Sequence, residues 1–195
     1  NTASNATGTV NVDGTGTNTD PQITIAAVNP STLEGIGTTF TISASGPVTG
    51  SVDVTLSFSG RADHGGDFTG LSTIQIPNAG NSAVLFNFVL NDGLFEGLEN
   101  IVVTIDSVSG NAVLGGTLSA ETLVNDVQTA PEFSIAADQG SAQEGTAAGF
   151  TITPTVPSQA DRILTVSHSG TALNGADYFG TATVVVPGGS NTGDL

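Results

Sequence analysis

The side chains of this sequence that could do chemistry are almost all carboxylates, and they gather in turns between apolar segments. The chain of 195 residues has 18 acidic residues, two basic residues, two histidines and no cysteine. The acids concentrate at these positions: Glu34, Asp63, Asp67, Asp92, Glu96, Glu99 and Asp126. Calcium takes six to eight oxygen ligands from flexible loops, so a convergence of such loops would suit calcium.

Other chemistries have little support in this sequence. A cysteine nucleophile is absent, and neither a GxSxG elbow nor a phosphate-binding loop occurs. His64 and His168 are too scattered to supply the usual ligand set of zinc. Asp92 and Glu96 form a pair of carboxylates of the kind used in acid–base catalysis, but no pattern indicates a cleft around them. We therefore expect a protein that is not an enzyme.

The charge of the chain restricts its partners. The net charge is −16, and the only basic side chains are Arg61 and Arg162. Nucleic-acid binding requires clustered Lys and Arg to neutralise phosphates, so we expect no nucleic-acid partner. No apolar run reaches about 18 residues, so no membrane span is predicted. The absence of Lys and the richness in Thr, Ser, Asn and Gly favour an extracellular or cell-surface location.

Apolar and polar residues alternate over most of the chain, a pattern that predicts half-buried strands. Turns rich in Gly, Pro, Asn and Asp separate the alternating segments. The predicted strands of the central region are residues 23–27, 38–43, 52–58, 72–76, 84–90, 101–105 and 117–124. About seven strands per unit predicts an all-β fold of tandem antiparallel, immunoglobulin-like β-sandwiches.

The sequence also repeats itself with an offset of 110 residues and no gap, from Gln22/Glu132 to Ser82/Thr192. This register makes residues 1–20 the last strand of a preceding repeat. Residues 21–129 are then a complete repeat, and residues 130–195 are the first half of a further one. Internal repetition of this kind predicts a tandem array, and we expect the natural protein to contain more copies.

Three blocks of the repeat resemble the Calx-β family. Residues 90–100 resemble its DD-x-x-x-E-G-x-E signature. Glu34-Gly35 followed by Phe40-Thr41-Ile42 resembles its opening EG…F-x-V block, and residues 60–68 and 170–178 resemble its DGTA-x-x-GSDY hairpin. Calx-β modules occur in sodium–calcium exchangers and in many bacterial surface proteins. The resemblance covers the whole repeat in the same order, and it implies a Calx-β-like sandwich.

The resemblance further implies calcium as the ligand of the acidic loops. The implied calcium ligands are Glu34, Asp92, Glu96 and Asp126, with Glu144 beginning the equivalent set of the next repeat. Ser59 and Ser169 stand where the family has an aspartate, so we expect one ion or none rather than a cluster.

The residues themselves leave a second interpretation open for each acid. Glu34 and Glu96 are equally well interpreted as solvated loop acids, because exposure is the usual state of Glu. Asp67 and its equivalent Asp177 are expected to close their own turns by accepting backbone hydrogen bonds, rather than to bind metal. His64 is set aside because the register places Asn174 at its position.

Together these patterns predict a structural or adhesive module of an extracellular fibre, stalk or surface adhesin, with hinges stiffened by calcium. Its expected partners are neighbouring repeats or copies of itself, together with a surface receptor or glycan. One alternative is a filament in which residues 1–12 complete a neighbouring chain by β-strand exchange. Another alternative, a carbohydrate-binding module, has less support because the chain has no Trp and one Tyr.

Overall fold

The computed structural model describes residues 20–194, so the strand predicted before residue 20 lies outside the described residues. Within this range, no helix is long and apolar enough to cross a membrane. The strands, numbered in chain order, are β1 Gln22–Ala27, β2 Ser31–Leu33, β3 Gly37–Ala44, β4 Val52–Gly60, β5 Phe68–Thr69, β6 Thr73–Ile76, β7 Ser82–Val89, β8 Glu99–Val108, β9 Val113–Leu114, β10 Ser119–Asn125, β11 Phe133–Ala137, β12 Phe150–Pro154, β13 Arg162–Thr165, β14 Thr183–Val186 and β15 Gly193–Asp194.

The described residues form two compact units. Unit 1 contains the residues up to Leu90 together with Asn100–Val124. Unit 2 contains Asn91–Glu99 together with the residues from Asn125 onward. The predicted division of the sequence at residues 20/21 and 129/130 stays a prediction.

Unit 1 is a β-sandwich of two five-stranded sheets, with the strand orders β5-β7-β3-β1-β9 and β2-β10-β8-β4-β6. The pairs β1–β3, β3–β7, β4–β6 and β4–β8 are antiparallel, whereas β1–β9 is parallel. The predicted all-β sandwich is thereby confirmed. The predicted segments correspond to β1, β3, β4, β6, β7, β8 and β10. Strands β2, β5 and β9 were missed because two or three residues are too few to show an alternation.

Alternation of side chains builds the core of unit 1 between the two sheets. On β4, Val52, Val54 and Leu56 are buried and the residues between them are exposed. Phe40 and Phe68, from the opposite sheet, are the largest fully buried side chains. The remainder of this core is mainly Ile, Val and Leu, as the low aromatic content predicts.

Unit 2 repeats the strand pairing of unit 1 with the offset of the sequence repeat. Ile135 pairs with Ile152 as Ile25 pairs with Ile42. β13 pairs with β14 in the register of β4 with β6. A smaller core forms around Ile152, Val184 and Val186.

Candidate functional site

The acidic segment, defined as Asn91–Glu99, contains bends at Gly93 and Leu98 and ends at the first residue of β8. The Asp92 carboxylate accepts a hydrogen bond from the Leu94 N–H at 2.8 Å, which closes an Asx turn. Gly93 and Gly97 have φ values of 83° and 85°, a left-handed conformation that favours glycine. The two glycines allow the chain to bend between β7 and β8.

Asp126, which also belongs to unit 2, binds the backbone of the acidic segment. Its Oδ2 atom accepts hydrogen bonds from the backbone N–H groups of Glu96 at 2.6 Å and Gly97 at 2.8 Å. Its Oδ1 atom accepts the Gln128 N–H at 2.7 Å, and the Gln128 amide in turn donates to Asn91 Oδ1 at 2.9 Å. Hydrogen bonds from N–H groups to an ionised carboxylate are stronger than neutral ones. Asp126 therefore organises the backbone of the acidic segment.

The side chains of Glu96 and Glu99 meet within this framework. Each offers a carboxylate oxygen, and these two atoms lie within 4.8 Å of each other. Glu99 is 6% exposed. Two ionised carboxylates at this separation would repel each other, and a bound cation would neutralise them. Carboxylate oxygens at the end of a loop are the donors that a hard cation such as calcium prefers.

A loop from the C-terminal part of the chain holds the middle of the acidic segment. The Phe95 N–H donates to the Pro157 carbonyl at 2.8 Å, and the Gln159 N–H donates to the Phe95 carbonyl at 3.1 Å. The Gln159 side-chain amide donates to Glu96 Oε1. The Arg162 guanidinium lies 5.4 Å from the centroid of the Phe95 ring, within the range of a cation–π contact. Glu96 is thus held through both its backbone and its carboxylate.

The remaining predicted ligands differ from each other in burial. Glu34, in the turn between β2 and β3 of unit 1, is 5% exposed. The turn that contains it is tied to the end of β7, because the Gly35 N–H donates to the Val89 carbonyl at 3.1 Å. Glu144, the equivalent residue of unit 2, is exposed. The assignment of Glu34, Asp92, Glu96, Asp126 and Glu144 as calcium ligands stays a prediction.

Asp67 and Asp177 take the turn-closing role that the sequence predicts. Asp67 Oδ2 accepts the Asp63 N–H at 2.6 Å, and Asp177 Oδ2 accepts the Leu173 N–H at 2.8 Å. The two turns are therefore equivalent, with the 110-residue offset of the sequence repeat. His64 packs on the Phe58 ring with a centroid separation of 4.6 Å.

The sequence analysis named Glu99 among the clustered acids but not in the implied ligand set, and it did not name Gln159. The sequence could have indicated Glu99. It precedes Ile101 by two residues and Val103 by four, so it faces inward on β8 with them. Gln159 carries no such signal, because it lies 63 positions from the Glu96 carboxylate to which it donates.

Solved structures of Calx domains are similar in fold to this chain. The crystal structure of CBD12 from CALX1.2 is 16% identical, with 89% of this chain and 73% of that chain covered and a TM-score of 0.48. The calcium binding domain CBD12 of CALX1.1 is also 16% identical, covering 88% and 74% with a TM-score of 0.48. The apo-form Calx CBD1 domain is 15% identical, covering 55% and 99% with a TM-score of 0.43. No protein-family model and no curated protein matches this chain. Because these TM-scores are below 0.5, the sandwich assignment rests on the strand pairing itself.

Proposed function

We propose that this chain is a calcium-binding β-sandwich repeat module with a structural or adhesive role in an extracellular fibre, stalk or surface adhesin. The close approach of the Glu96 and Glu99 carboxylates, within 4.8 Å, supports this proposal. The net charge of −16 attracts divalent cations to the module. Its partners are neighbouring repeats or copies of itself.

The residues around the proposed ion have separate roles. Glu96 and Glu99 supply carboxylate oxygens to calcium. Asp126 positions Glu96 by binding its backbone N–H and that of Gly97. Asp126 directly follows β10, so ordering of the acidic segment by calcium would also order the chain at this point.

An extracellular setting agrees with the expected affinity. Calcium affinity rises with the number of charged ligands and the rigidity of the site. Two carboxylates, one before β8 and one at its first residue, are a small charge count, so we expect a dissociation constant of about 10⁻⁴–10⁻³ M, as in extracellular modules. Calcium would then act as a permanent structural component rather than as a transient signal.

The proposal is tested by titrating the chain with calcium chloride in a calorimeter and by following thermal unfolding with calcium or a chelator. At a calcium concentration about 100 times the dissociation constant, we expect about 2.7 kcal/mol of stabilisation. Glu96→Gln should weaken binding at least tenfold (about 1.4 kcal/mol). Glu132→Gln is the matched control, because Glu132 is an exposed acid of unit 2 outside the site. No binding heat together with an unchanged melting temperature would contradict the proposal.

A further inference from the structure

Strand β7 of unit 1 is an edge strand over most of its length. β5 pairs with it only at Phe68↔Val89 and Thr69↔Phe88. In the sheet order, no other described strand lies on that side of β7. The opposite side pairs with β3 along the whole of β7, from Ser82 to Phe88. Among the described strands, the window of β7 that ends before Phe88 is therefore paired on one side only.

The hydrogen bonds at the two ends of β7 show which backbone groups face the free side. The backbone groups of Asn81 point toward β3, because the Asn81 carbonyl accepts the Ala44 N–H at 2.8 Å. The backbone groups of Leu90 point toward β5, because the Leu90 N–H donates to the Asp67 carbonyl at 2.7 Å. Along a strand, the backbone N–H and carbonyl groups of successive residues point to alternate sides. The residues of the window whose backbone groups face the free side are Ser82, Val84 and Phe86.

This free edge has none of the features that usually prevent edge-to-edge pairing. Natural edge strands are blunted by Lys, Pro, bulges or inward charges. β7 contains neither charge nor Pro, and its register with β3 is continuous. Its outward side chains Val84 and Phe86 are 60% and 58% exposed. Beside them, a shallow pocket of about 250 Å³ is lined by Thr69, Gly70, Leu71, Phe86 and Phe88.

The whole sheet that contains β7 is uncharged. None of its strands, β5, β7, β3, β1 and β9, includes an acidic or basic residue. The chain as a whole carries 18 acids. The net charges of two copies repel each other, and contact through this sheet edge adds no like-charge pair to that repulsion. A cationic partner, in contrast, would find no counter-charge on these strands.

We propose that two copies of this chain pair through the free side of β7, antiparallel and around a two-fold axis at Val84. Val84 then faces Val84 of the second copy, and Ser82 faces Phe86 in both directions. Each of these three residues donates its N–H and accepts at its carbonyl, so the pairing uses the whole free window. Such an interface is isologous and closes as a dimer rather than growing into a fibre.

Sedimentation equilibrium of the 195-residue chain over a range of concentrations is the primary test. The expected mass rises from 19.3 kDa toward about twice that value. Val84→Lys brings two like charges together at the axis and should raise the dimer dissociation constant at least about tenfold. Ala26→Lys is the matched control, because Ala26 is an exposed residue on β1 of the same sheet. It should leave dimerisation unchanged.

Two further measurements separate pairing from loss of folding. Val84→Pro removes an N–H only on the free side, where Pro is tolerated in an edge strand, and should give a folded monomer. In the unaltered chain, amide exchange at Ser82, Val84 and Phe86 should slow as concentration rises, whereas Ala83 and Leu85 are protected throughout. A chain that is monomeric at every concentration, a dimer indifferent to both Val84 variants, or a Val84 amide protected in the monomer would each overturn the proposal. The last result would mean that another part of the same chain covers the edge.

Discussion

Replacing Asp126 by Ala should release the acidic segment, because a single carboxylate holds three backbone N–H groups. The bonds to Glu96, Gly97 and Gln128 are 2.6, 2.8 and 2.7 Å long. A hydrogen bond to a charged group contributes about 1.5–3 kcal/mol. Asp126 and its three partners are all half-buried, so water replaces part of each bond. We therefore expect a loss of roughly 2–4 kcal/mol, less than the sum of three separate bonds.

The assay combines urea unfolding with amide exchange on the chain without calcium. The midpoint of the transition that includes unit 2 should fall with little change in its slope, because the surface exposed on unfolding is similar. The amides of Glu96 and Gly97 should lose protection first, since they lose their acceptor. Asp126→Asn should have a smaller effect, because the amide keeps one oxygen acceptor but turns a donor toward one N–H.

The control is Asp92→Ala, which removes the acceptor of one N–H group, that of Leu94. The Asp92 side chain is exposed, so a loss of about 1 kcal/mol or less is expected. If Asp126→Ala destabilises no more than Asp92→Ala, or leaves the Glu96 and Gly97 amides protected, the role of Asp126 as the organiser of the segment is refuted.

Two further predictions concern unit 1. Asn87 is fully buried on β7 and neither polar atom of its side chain has a hydrogen-bond partner among the described residues, so Asn87→Leu should stabilise the chain by roughly 1–3 kcal/mol in urea unfolding. A destabilised Asn87→Leu variant would show that the amide is satisfied in solution. Gly60 has a φ of 123°, and a Cβ there would collide with the Asn100 carbonyl, so Gly60→Ala should lower the melting temperature by an amount equivalent to roughly 2 kcal/mol or more. Gly46→Ala, where the space is open, should be close to neutral, and equal effects of the two variants would contradict the steric explanation.

Much of the fold could be predicted from the sequence because the signals for it are local. The alternation along residues 52–58 places Val52, Val54 and Leu56 on one face, and these side chains are buried in the sandwich. The repeat register correctly predicts equivalent turns at Asp67 and Asp177. Short strands such as Phe68–Thr69 could not be predicted, because they form only by pairing with a strand already in place.

The candidate site was less accessible to sequence reasoning. The family resemblance selected Glu96 and Asp126. In the structure, the Glu96 backbone N–H donates a hydrogen bond to the Asp126 carboxylate. The resemblance gave no indication that the Asp126 carboxylate also accepts hydrogen bonds from the backbone of the acidic segment. Glu34 and Glu144 are equivalent in sequence and differ in burial, because burial depends on what packs around each turn.

The sequence by itself determined the period-2 alternation, the repeat register and the large negative charge, since each depends only on residue type and order. Only the tertiary structure decided which carboxylates meet and which backbone groups remain unpaired. The Glu96 carboxylate receives its hydrogen bond from Gln159, which is 63 positions away. Among the described strands, β7 keeps a free side because β5 ends after two residues. Contacts between distant segments and the lengths of paired strands depend on the packing of the whole unit, and so no local pattern specifies them.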